Sequence, residues 1–423
     1  MTQLLVEAPL GDLVARKHRL DNGLDVILVR DARSPVVAYQ TWVRVGSRHE
    51  QPGKTGLAHL FEHLMFNESE NQPAGAFDRT IEAIGGETNA STWVDWTFYQ
   101  TNVAREHLDM VARLEAERFA HLVLRAPQVT SEREVVANER RFRVDDDVDG
   151  FLSERLYALA FESHPYHWPT IGWMEDIQSF TPEDCATFYR RFYAPNNTTV
   201  VLVGGLEEAE ALATIESSYG ALAPQPLPTA DIVIEGPIAS ERRACFHKPV
   251  MSDKLYMGWR SPPLVHPDHP PLEVLNEILF GGQSSRLWRG LVVDEIASSV
   301  SGGVGAFHDP GLFEIHATLK RARKAVDAES LIDAEIARLH DEPVLASEIE
   351  KAQARLESSF QWGLRSANGK AQALGHFEAT TGDFRNLLRV AEGYQRVSAD
   401  DVRRVARTHL RPEARCVLVA EPT

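Results

Sequence analysis

The chain contains little cysteine: Cys185, Cys245 and Cys416 are its three cysteines in 423 residues, and they are far apart. A disulfide framework needs paired cysteines, and a cysteine-based zinc site needs them at short spacing. Neither pattern is present. We therefore predict three buried, inert thiols in a protein of a reducing compartment.

Long apolar runs are also missing. No stretch approaches the ~18 residues needed to cross a bilayer. The N-terminal segment has Glu7 and Asp12 within its apolar part and lacks the basic start of a secretory signal. These features predict a soluble cytoplasmic chain without a membrane span, provided that no leader was removed before residue 1.

Basic residues are fewer than acidic ones: the chain has 44 Lys and Arg and 61 Asp and Glu, which gives a formal net charge of −17. This balance argues against nucleic acid or an anionic membrane as a partner. The composition, 43% hydrophobic and 25% charged, is that of an ordinary globular protein. At 423 residues, two or three domains are expected.

A proline-rich segment is the best candidate for a linker. Pro224, Pro226 and Pro228 fall close together. We therefore predict a linker at residues 224–229, between a first domain at residues 1–223 and a second domain at residues 230–423.

The two halves of the chain carry similar patterns in the same order. Residues 181–184 (TPED) and 398–401 (SADD) both have the composition of a helix start. When these two starts are aligned without a gap, the strand-like residues 200–202 fall on residues 417–419. A constant offset of about half the chain indicates two similarly folded domains rather than a short-period repeat.

Two further segments have simple structural interpretations. Residues 87–101 predict two strands joined around Val94 and Asp95. The glycine-rich residues 302–305 lack the Gly-x-Gly-x-x-Gly spacing of a dinucleotide loop, so we interpret them as a turn between strands.

The segment at residues 56–66 contains the pattern His59-x-x-Glu62-His63. In a helix, a spacing of four places both imidazoles on one face, within reach of one metal ion. Glu62 could then take a proton from a metal-bound water. This order reverses the commoner His-Glu-x-x-His and is the inverzincin signature. The alternative is that both histidines are ordinary core residues.

A catalytic zinc takes three protein ligands and keeps one position open for water. The predicted helix at residues 131–139 offers Glu132, Glu134 and Glu139. Glu132 and Glu139 are two turns apart on one face, so one could ligate while the other supports it. Spacing alone does not choose between them. Without the histidine pattern, these acids would be interpreted as a solvated helix face.

Together these segments resemble the pitrilysin/insulinase family of zinc peptidases, and most closely its processing-peptidase-like branch. The matching features are the His59 pattern, the later helix that ends in Glu139, residues 85–99, and the second-half run GGQSSRL at residues 281–287. The resemblance covers essentially the whole chain. It implies an α/β (α+β) fold of two homologous domains, each a mostly antiparallel sheet flanked by helices. Two such chains would enclose a chamber that admits peptides or unfolded segments.

The resemblance also implies roles around the motif. His59, His63 and Glu139 become the ligands of one zinc ion per chain, Glu62 the general base, and Glu132 the supporting carboxylate. The implied activity is that of a zinc-dependent endopeptidase.

A substrate site is implied in the same way. In the family, the positions of Asn89 and Ala90 lie on an edge strand that binds the substrate backbone. This agrees with the general physics of strand addition, in which main-chain hydrogen bonds hold an extended peptide.

One part of the sequence departs from the family pattern. Active members, or their partner chains, carry an Arg and a Tyr a short, fixed distance apart after the second-half Ser-Ser-Arg-Leu. Here the Arg position falls on Leu291 or Val292 and the Tyr position on Ser298. We therefore predict a homologous partner chain that supplies the missing pair, with this chain as the active subunit of a heterodimer. The alternatives are a homodimeric peptidase and, less favoured because all four site residues are present, a non-catalytic structural subunit.

Overall fold

The computed structural model describes residues 2–228 and 231–423. Three residues lie outside the described ranges: Met1, Thr229 and Ala230. They are the first residue of the first predicted domain, the last of the predicted linker and the first of the second predicted domain. In the first half the elements are β1 (Gln3–Leu10), β2 (Leu13–Arg19), β3 (Asp25–Arg30), β4 (Val36–Val43), α1 (Leu57–Leu64), α2 (Ala76–Ala83), β5 (Glu87–Thr92), β6 (Thr97–Ala104), α3 (Leu108–Ala120), α4 (Ala126–Arg140), α5 (Val148–Ala160), α6 (Met174–Ser179), α7 (Pro182–Phe192), β7 (Thr198–Gly204) and α8 (Glu208–Tyr219).

The second half is built from the same kinds of element. They are β8 (Arg242–Lys248), β9 (Lys254–Ser261), α9 (His269–Phe280), β10 (Ala297–Val304), β11 (Gly311–Leu319), α10 (Ala325–Asp341), α11 (Ala346–Gly363), α12 (Ala367–Thr381), α13 (Asn386–Gln395), α14 (Ala399–His409) and β12 (Arg415–Pro422). No helix of the described ranges is long and apolar enough to cross a membrane.

The chain forms two compact units, and neither is a continuous stretch. Unit 1 comprises Met1–Glu139, Pro169–Asp231 and Gly363–Leu387, and unit 2 comprises Arg140–Trp168, Ile232–Trp362 and Leu388–Thr423. Each unit therefore includes one segment from the other half of the chain. The predicted boundary at residues 224–229 stays a prediction.

Unit 1 contains a seven-stranded sheet in the order β1-β2-β3-β7-β4-β6-β5. All neighbours are antiparallel except β3 and β7. The central strand β7, with the sequence TTVVLVG, is buried at every residue, as expected for a β-branched strand covered on both faces. α12 packs on β4 and β7. A Cβ added at Gly375 of α12 would lie 2.1 Å from Nε1 of Trp42, so this glycine permits the close approach of the helix.

Unit 2 contains a five-stranded sheet in the order β10-β11-β9-β12-β8, in which only the pair β12 and β8 is parallel among the described strands. α5 packs on β9 and β12. Gly258 of β9 lies under Leu156 of α5, where an added Cβ would be 3.2 Å from the leucine side chain. The two sheets flanked by helices confirm the predicted fold class.

The predicted repeat is visible in matching elements of the two units. α7 and α14 have the same length, 11 residues each. Both start with a capping box, in which the hydroxyl of Thr181 or Ser398 and the carboxylate of Asp184 or Asp401 satisfy free backbone N–H groups. The strands β7 and β12 follow these helices at the same distance along the chain, as the aligned patterns predict.

Two expectations from the sequence are wrong. Gly302 and Gly303 lie inside β10 and not in a turn. A Cβ on Gly302 would lie 2.2 Å from the ring of Phe280, so this glycine makes room for the aromatic side chain on the sheet. Cys245 is exposed, whereas Cys185 and Cys416 are buried as predicted. Cys245 lies on β8, an edge strand with alternating exposure, which places its side chain outward.

A buried group of charges links α12 to the sheet of unit 1. The carboxylates of Asp25 and Glu378 are fully buried, and Nζ of Lys17 lies 2.5 Å from Glu378 and 3.1 Å from Asp25. Arg44 contacts both acids at 3.1 and 3.2 Å. Burial raises the pKa of Asp25, but Arg19, Lys17 and Arg44 outweigh it and hold the pKa below its ordinary value.

We expect the substitution Glu378→Gln to lower the free energy of unfolding by about 3 kcal/mol, because it leaves buried cations with one counter-charge fewer. Urea unfolding followed by circular dichroism measures this loss. Glu392→Gln is the control, because Glu392 forms an exposed pair with Arg396, and we expect a change below about 0.5 kcal/mol. Equal losses in the two variants would contradict a stabilising role for the buried group.

Candidate metal centre

α1 presents the two histidines of the sequence motif on one face. Their ring centroids are 5.0 Å apart, as expected for side chains one turn apart. The helix starts after Gly56, whose φ of 95° lies in the left-handed region. A Cβ at Gly56 would lie 2.5 Å from the carbonyl oxygen of Ile171, so both the conformation and the space require glycine.

Glu139, in the last turn of α4, meets both histidines. Its Oε2 lies 3.4 Å from Nε2 of His63 and 3.6 Å from Nε2 of His59. One ligand atom from each of the three residues lies within 4.8 Å of the others. The structure thus brings together three residues from two helices that are far apart in the sequence.

The three side chains fit a zinc ion. Two ligand atoms that are each about 2.1 Å from a tetrahedral metal lie about 3.4 Å from one another. The separations of 3.4 and 3.6 Å from Glu139 to the imidazoles match this value. Two imidazole nitrogens and one carboxylate oxygen are also a common zinc ligand set that leaves a fourth position for water.

Glu132 lies behind His63. Its Oε2 is 3.7 Å from Nδ1 of His63, on the opposite side of the ring from Glu139. Its Oε1 accepts a hydrogen bond of 2.8 Å from the side-chain amide of Asn67. A carboxylate at this place can orient a ligating imidazole and favour the tautomer whose other nitrogen binds metal. Asn67 was not predicted, and its only signal in the sequence is its position four residues after His63.

Glu62, on α1, is half-buried and lies beside Thr92, the last residue of β5. Burial raises the pKa of its carboxyl group, whereas hydrogen bonding with Thr92 and the neighbouring His63 lower it, and the Glu139 charge raises it again. The net rise makes the carboxylate a stronger base than a free glutamate. Glu62 therefore has the environment expected of a group that accepts a proton from water.

The residues predicted to bind substrate lie on an edge strand. β5 is the last strand of its sheet and pairs with β6, with Ala90 opposite Tyr99 and Asn89 opposite Gln100. No strand of the described ranges pairs with its other edge. α1 packs on β5, and a cavity of about 550 Å³ adjoins its start, lined by Phe66, Asp78, Glu82 and residues 86–89.

The second-half positions that depart from the family pattern offer neither a cation nor a phenol. Leu291 is buried in a short π-helical segment, Trp288–Val293. Ser298 is exposed on β10, where its hydroxyl donates to the carbonyl oxygen of Thr318 at 3.1 Å. Arg286, the arginine of the GGQSSRL run, is held by Glu335 and Glu348.

We expect the purified chain to bind one zinc ion, and Glu139→Gln to weaken the binding at least 10-fold, because a neutral amide replaces a charged ligand. Competition titration with a chromophoric chelator measures the affinity. Glu134→Gln on the same helix is the matched control, since Glu134 is exposed, and we expect no change. Unchanged affinity in Glu139→Gln would exclude Glu139 as a ligand.

Comparison with known proteins identifies the family to which the chain belongs. The family model described as insulinase, peptidase family M16, matches residues 25–172, and the model described as peptidase M16 inactive domain matches residues 179–356. The chain is 30% identical over 409 residues to the zinc protease PqqE of Helicobacter pylori, with 95% of this chain and 92% of that protein covered.

Two further relatives extend the comparison. The beta subunit of the mitochondrial-processing peptidase of Lentinula edodes is 24% identical over 414 residues, with 92% of this chain and 86% of that protein covered. The crystal structure of a protease from Helicobacter pylori superposes with a TM-score of 0.93 at 29% identity and covers 96% of this chain and 99% of that one. The resemblance inferred from the motifs is confirmed: the chain belongs to the insulinase family of peptidases, family M16.

Proposed function

We propose that this chain is a zinc-dependent endopeptidase that hydrolyses oligopeptides or unfolded segments, and that it acts as the active subunit of a heterodimer. The observation that carries the proposal is the meeting of His59, His63 and Glu139 within 4.8 Å, with Glu62 beside them on α1. Relatives named zinc protease support the same activity at the level of the family.

In this mechanism the residues have distinct tasks. His59, His63 and Glu139 would hold a zinc ion, which would polarise the scissile carbonyl and acidify the attacking water. Glu62 accepts the proton from that water and delivers it to the leaving amine. Glu132 keeps the imidazole of His63 in the orientation that ligation requires.

The free edge of β5 supports a peptide as the substrate. An extended segment can add to this edge through main-chain hydrogen bonds, which do not depend on its sequence. Asn89 and Ala90 lie on this strand, which ends at Thr92 beside Glu62. Oligopeptides and unfolded chains readily supply such a segment, so they are the expected substrates.

The absence of the Arg and Tyr pair at Leu291, Val292 and Ser298 is the reason to propose a partner. A zinc site alone leaves part of the negative charge that develops on the carbonyl oxygen without a second stabilising group. A homologous chain that carries the pair would supply it. One relative of this chain is itself named as a subunit, which supports an assembly of two different chains.

We expect Glu62→Gln to retain zinc and to lower kcat for a fluorogenic peptide by about 10²- to 10⁴-fold, because the amide cannot accept the proton. Metal analysis and steady-state kinetics of the same preparation test this expectation. Glu134→Gln should keep wild-type activity. Hydrolysis by Glu62→Gln at the wild-type rate would show that Glu62 is not the base, and a zinc-free, inactive wild type would favour a non-catalytic subunit.

We expect the isolated chain to bind zinc and to cleave peptides slowly. Addition of a homologous chain with the Arg and Tyr pair, and without the His-x-x-Glu-His pattern, should raise kcat/KM at least 10-fold. Native mass spectrometry should then show a one-to-one complex. Full activity of the isolated chain as a homodimer, unaffected by any partner, would contradict the division of labour.

A further inference from the structure

α1 begins without a capping side chain of its own, because its N-cap is Gly56. The first N–H groups of a helix have no partner within the helix and need an outside acceptor. Glu50 supplies it. Its Oε2 accepts from the N–H of Gly56 at 2.8 Å and its Oε1 accepts from the N–H of Ala58 at 2.7 Å. The side chain is buried, with 7% of the residue exposed.

The short segment that contains Glu50, residues 46–50, also holds the turn after β5. The N–H of Ser47 donates to the carbonyl oxygen of Trp93 at 3.3 Å, and that of Arg48 to the carbonyl oxygen of Val94 at 2.9 Å. A Cβ at Gly46 would lie 2.2 Å from the Trp93 oxygen. One short segment therefore contacts both the end of the edge strand and the start of the helix that carries the histidines.

The chain just before α1 is fixed as well. The N–H and the hydroxyl of Thr55 both donate to Oδ2 of Asp176, at 3.1 and 2.6 Å. The Thr55 hydroxyl in turn accepts from the N–H of Trp173 at 3.0 Å. These bonds anchor the peptide that leads into Gly56. The carboxylate of Glu50 anchors the first turn of the helix itself.

Burying a carboxyl group at this position costs free energy of folding. Burial raises the pKa of Glu50, the N–H groups of Ala58 and Gly56 oppose the rise, and the nearby Asp176 adds to it. A neutral residue of the same size would avoid this cost. It would not offer two acceptor oxygens, because an amide has one acceptor and one donor.

We propose that Glu50 is a positioning residue of the metal centre: it anchors the start of α1 so that His59 and His63 meet Glu139, and so that Glu62 lies beside the end of β5. The proposal rests on the proposed function in so far as the two histidines and Glu139 hold the metal. Ligand atoms 3.4 to 3.6 Å apart leave little room for a shift of the helix, since a displacement of about 1 Å can cost a factor of 10² in rate.

The test is Glu50→Gln, which keeps the size of the side chain but turns a donor toward one of the two N–H groups. We expect zinc to bind 10- to 100-fold more weakly and the visible absorption spectrum of the cobalt-substituted protein to change in position or intensity. We also expect kcat to fall with KM changed less than twofold, because the substrate strand β5 keeps its own contacts.

Glu378→Gln is the matched control. Glu378 is also a buried carboxylate of unit 1 that accepts a backbone N–H, from Phe384 at 3.1 Å, and its substitution should lower stability without changing zinc affinity or the cobalt spectrum. The comparison of the two variants thus separates a loss of stability from a displacement of α1. If Glu50→Gln does not fold, Glu50→Asp takes its place: it keeps the carboxyl group but is too short for both N–H groups, and a 3- to 10-fold loss of affinity is expected.

A folded Glu50→Gln protein with the zinc affinity and cobalt spectrum of the wild type would overturn the role of Glu50 and leave the proposed function intact. A wild-type chain that binds no metal at the three residues would overturn the proposed function, and this role with it.

Discussion

The distance between Glu139 and the two histidines of α1 is the constraint on which the candidate site depends. Nitrogen and oxygen ligands of one small cation must lie about 3.4 Å apart, and the observed values are 3.4 and 3.6 Å. α1 supplies two of the candidate ligands from a single helix face, so their mutual position follows from helix geometry. The third candidate comes from α4, and its position depends on how both helices pack in unit 1.

Several polar contacts keep α1 in its position within unit 1. Glu50 binds its first N–H groups, and the hydroxyl of Tyr99 donates to the carbonyl oxygen of Phe61 at 3.2 Å in its middle. Near its end, Arg118 lies over the rings of Phe66 and Tyr99. Buried polar groups that are fully paired specify one arrangement of a core, because every other arrangement leaves some of them without a partner. A metal centre needs such uniqueness more than it needs extra stability.

The two halves share local folding signals but differ at the positions of the candidate site. α7 and α14 have the same length and the same capping box, so the local signals for these helices are kept in both halves. The His-x-x-Glu-His pattern occurs once in the sequence, at residues 59–63 in unit 1. In unit 2 the positions that the resemblance assigns to Arg and Tyr are Leu291 or Val292, in the π-helical segment, and Ser298, on β10. Charged residues nearby form internal pairs, such as Arg286 with Glu335 and Glu348.

The sequence alone determined the local features: the helix starts at residues 181–184 and 398–401, the strand-like residues 200–202 and 417–419, and the i, i+4 placement of His59 and His63. These depend on near neighbours and on periodicity, which a sequence displays directly. Spacing left Glu132 and Glu139 equivalent as ligands, and only the resemblance separated them. The tertiary structure alone showed Asn67 and Glu50 beside the site, the exposure of Cys245, and the strand at Gly302. It also assigned residues 140–168 to unit 2 and residues 363–387 to unit 1. Such contacts join residues that are distant in the chain, and their energies depend on packing and burial, which a local pattern does not encode.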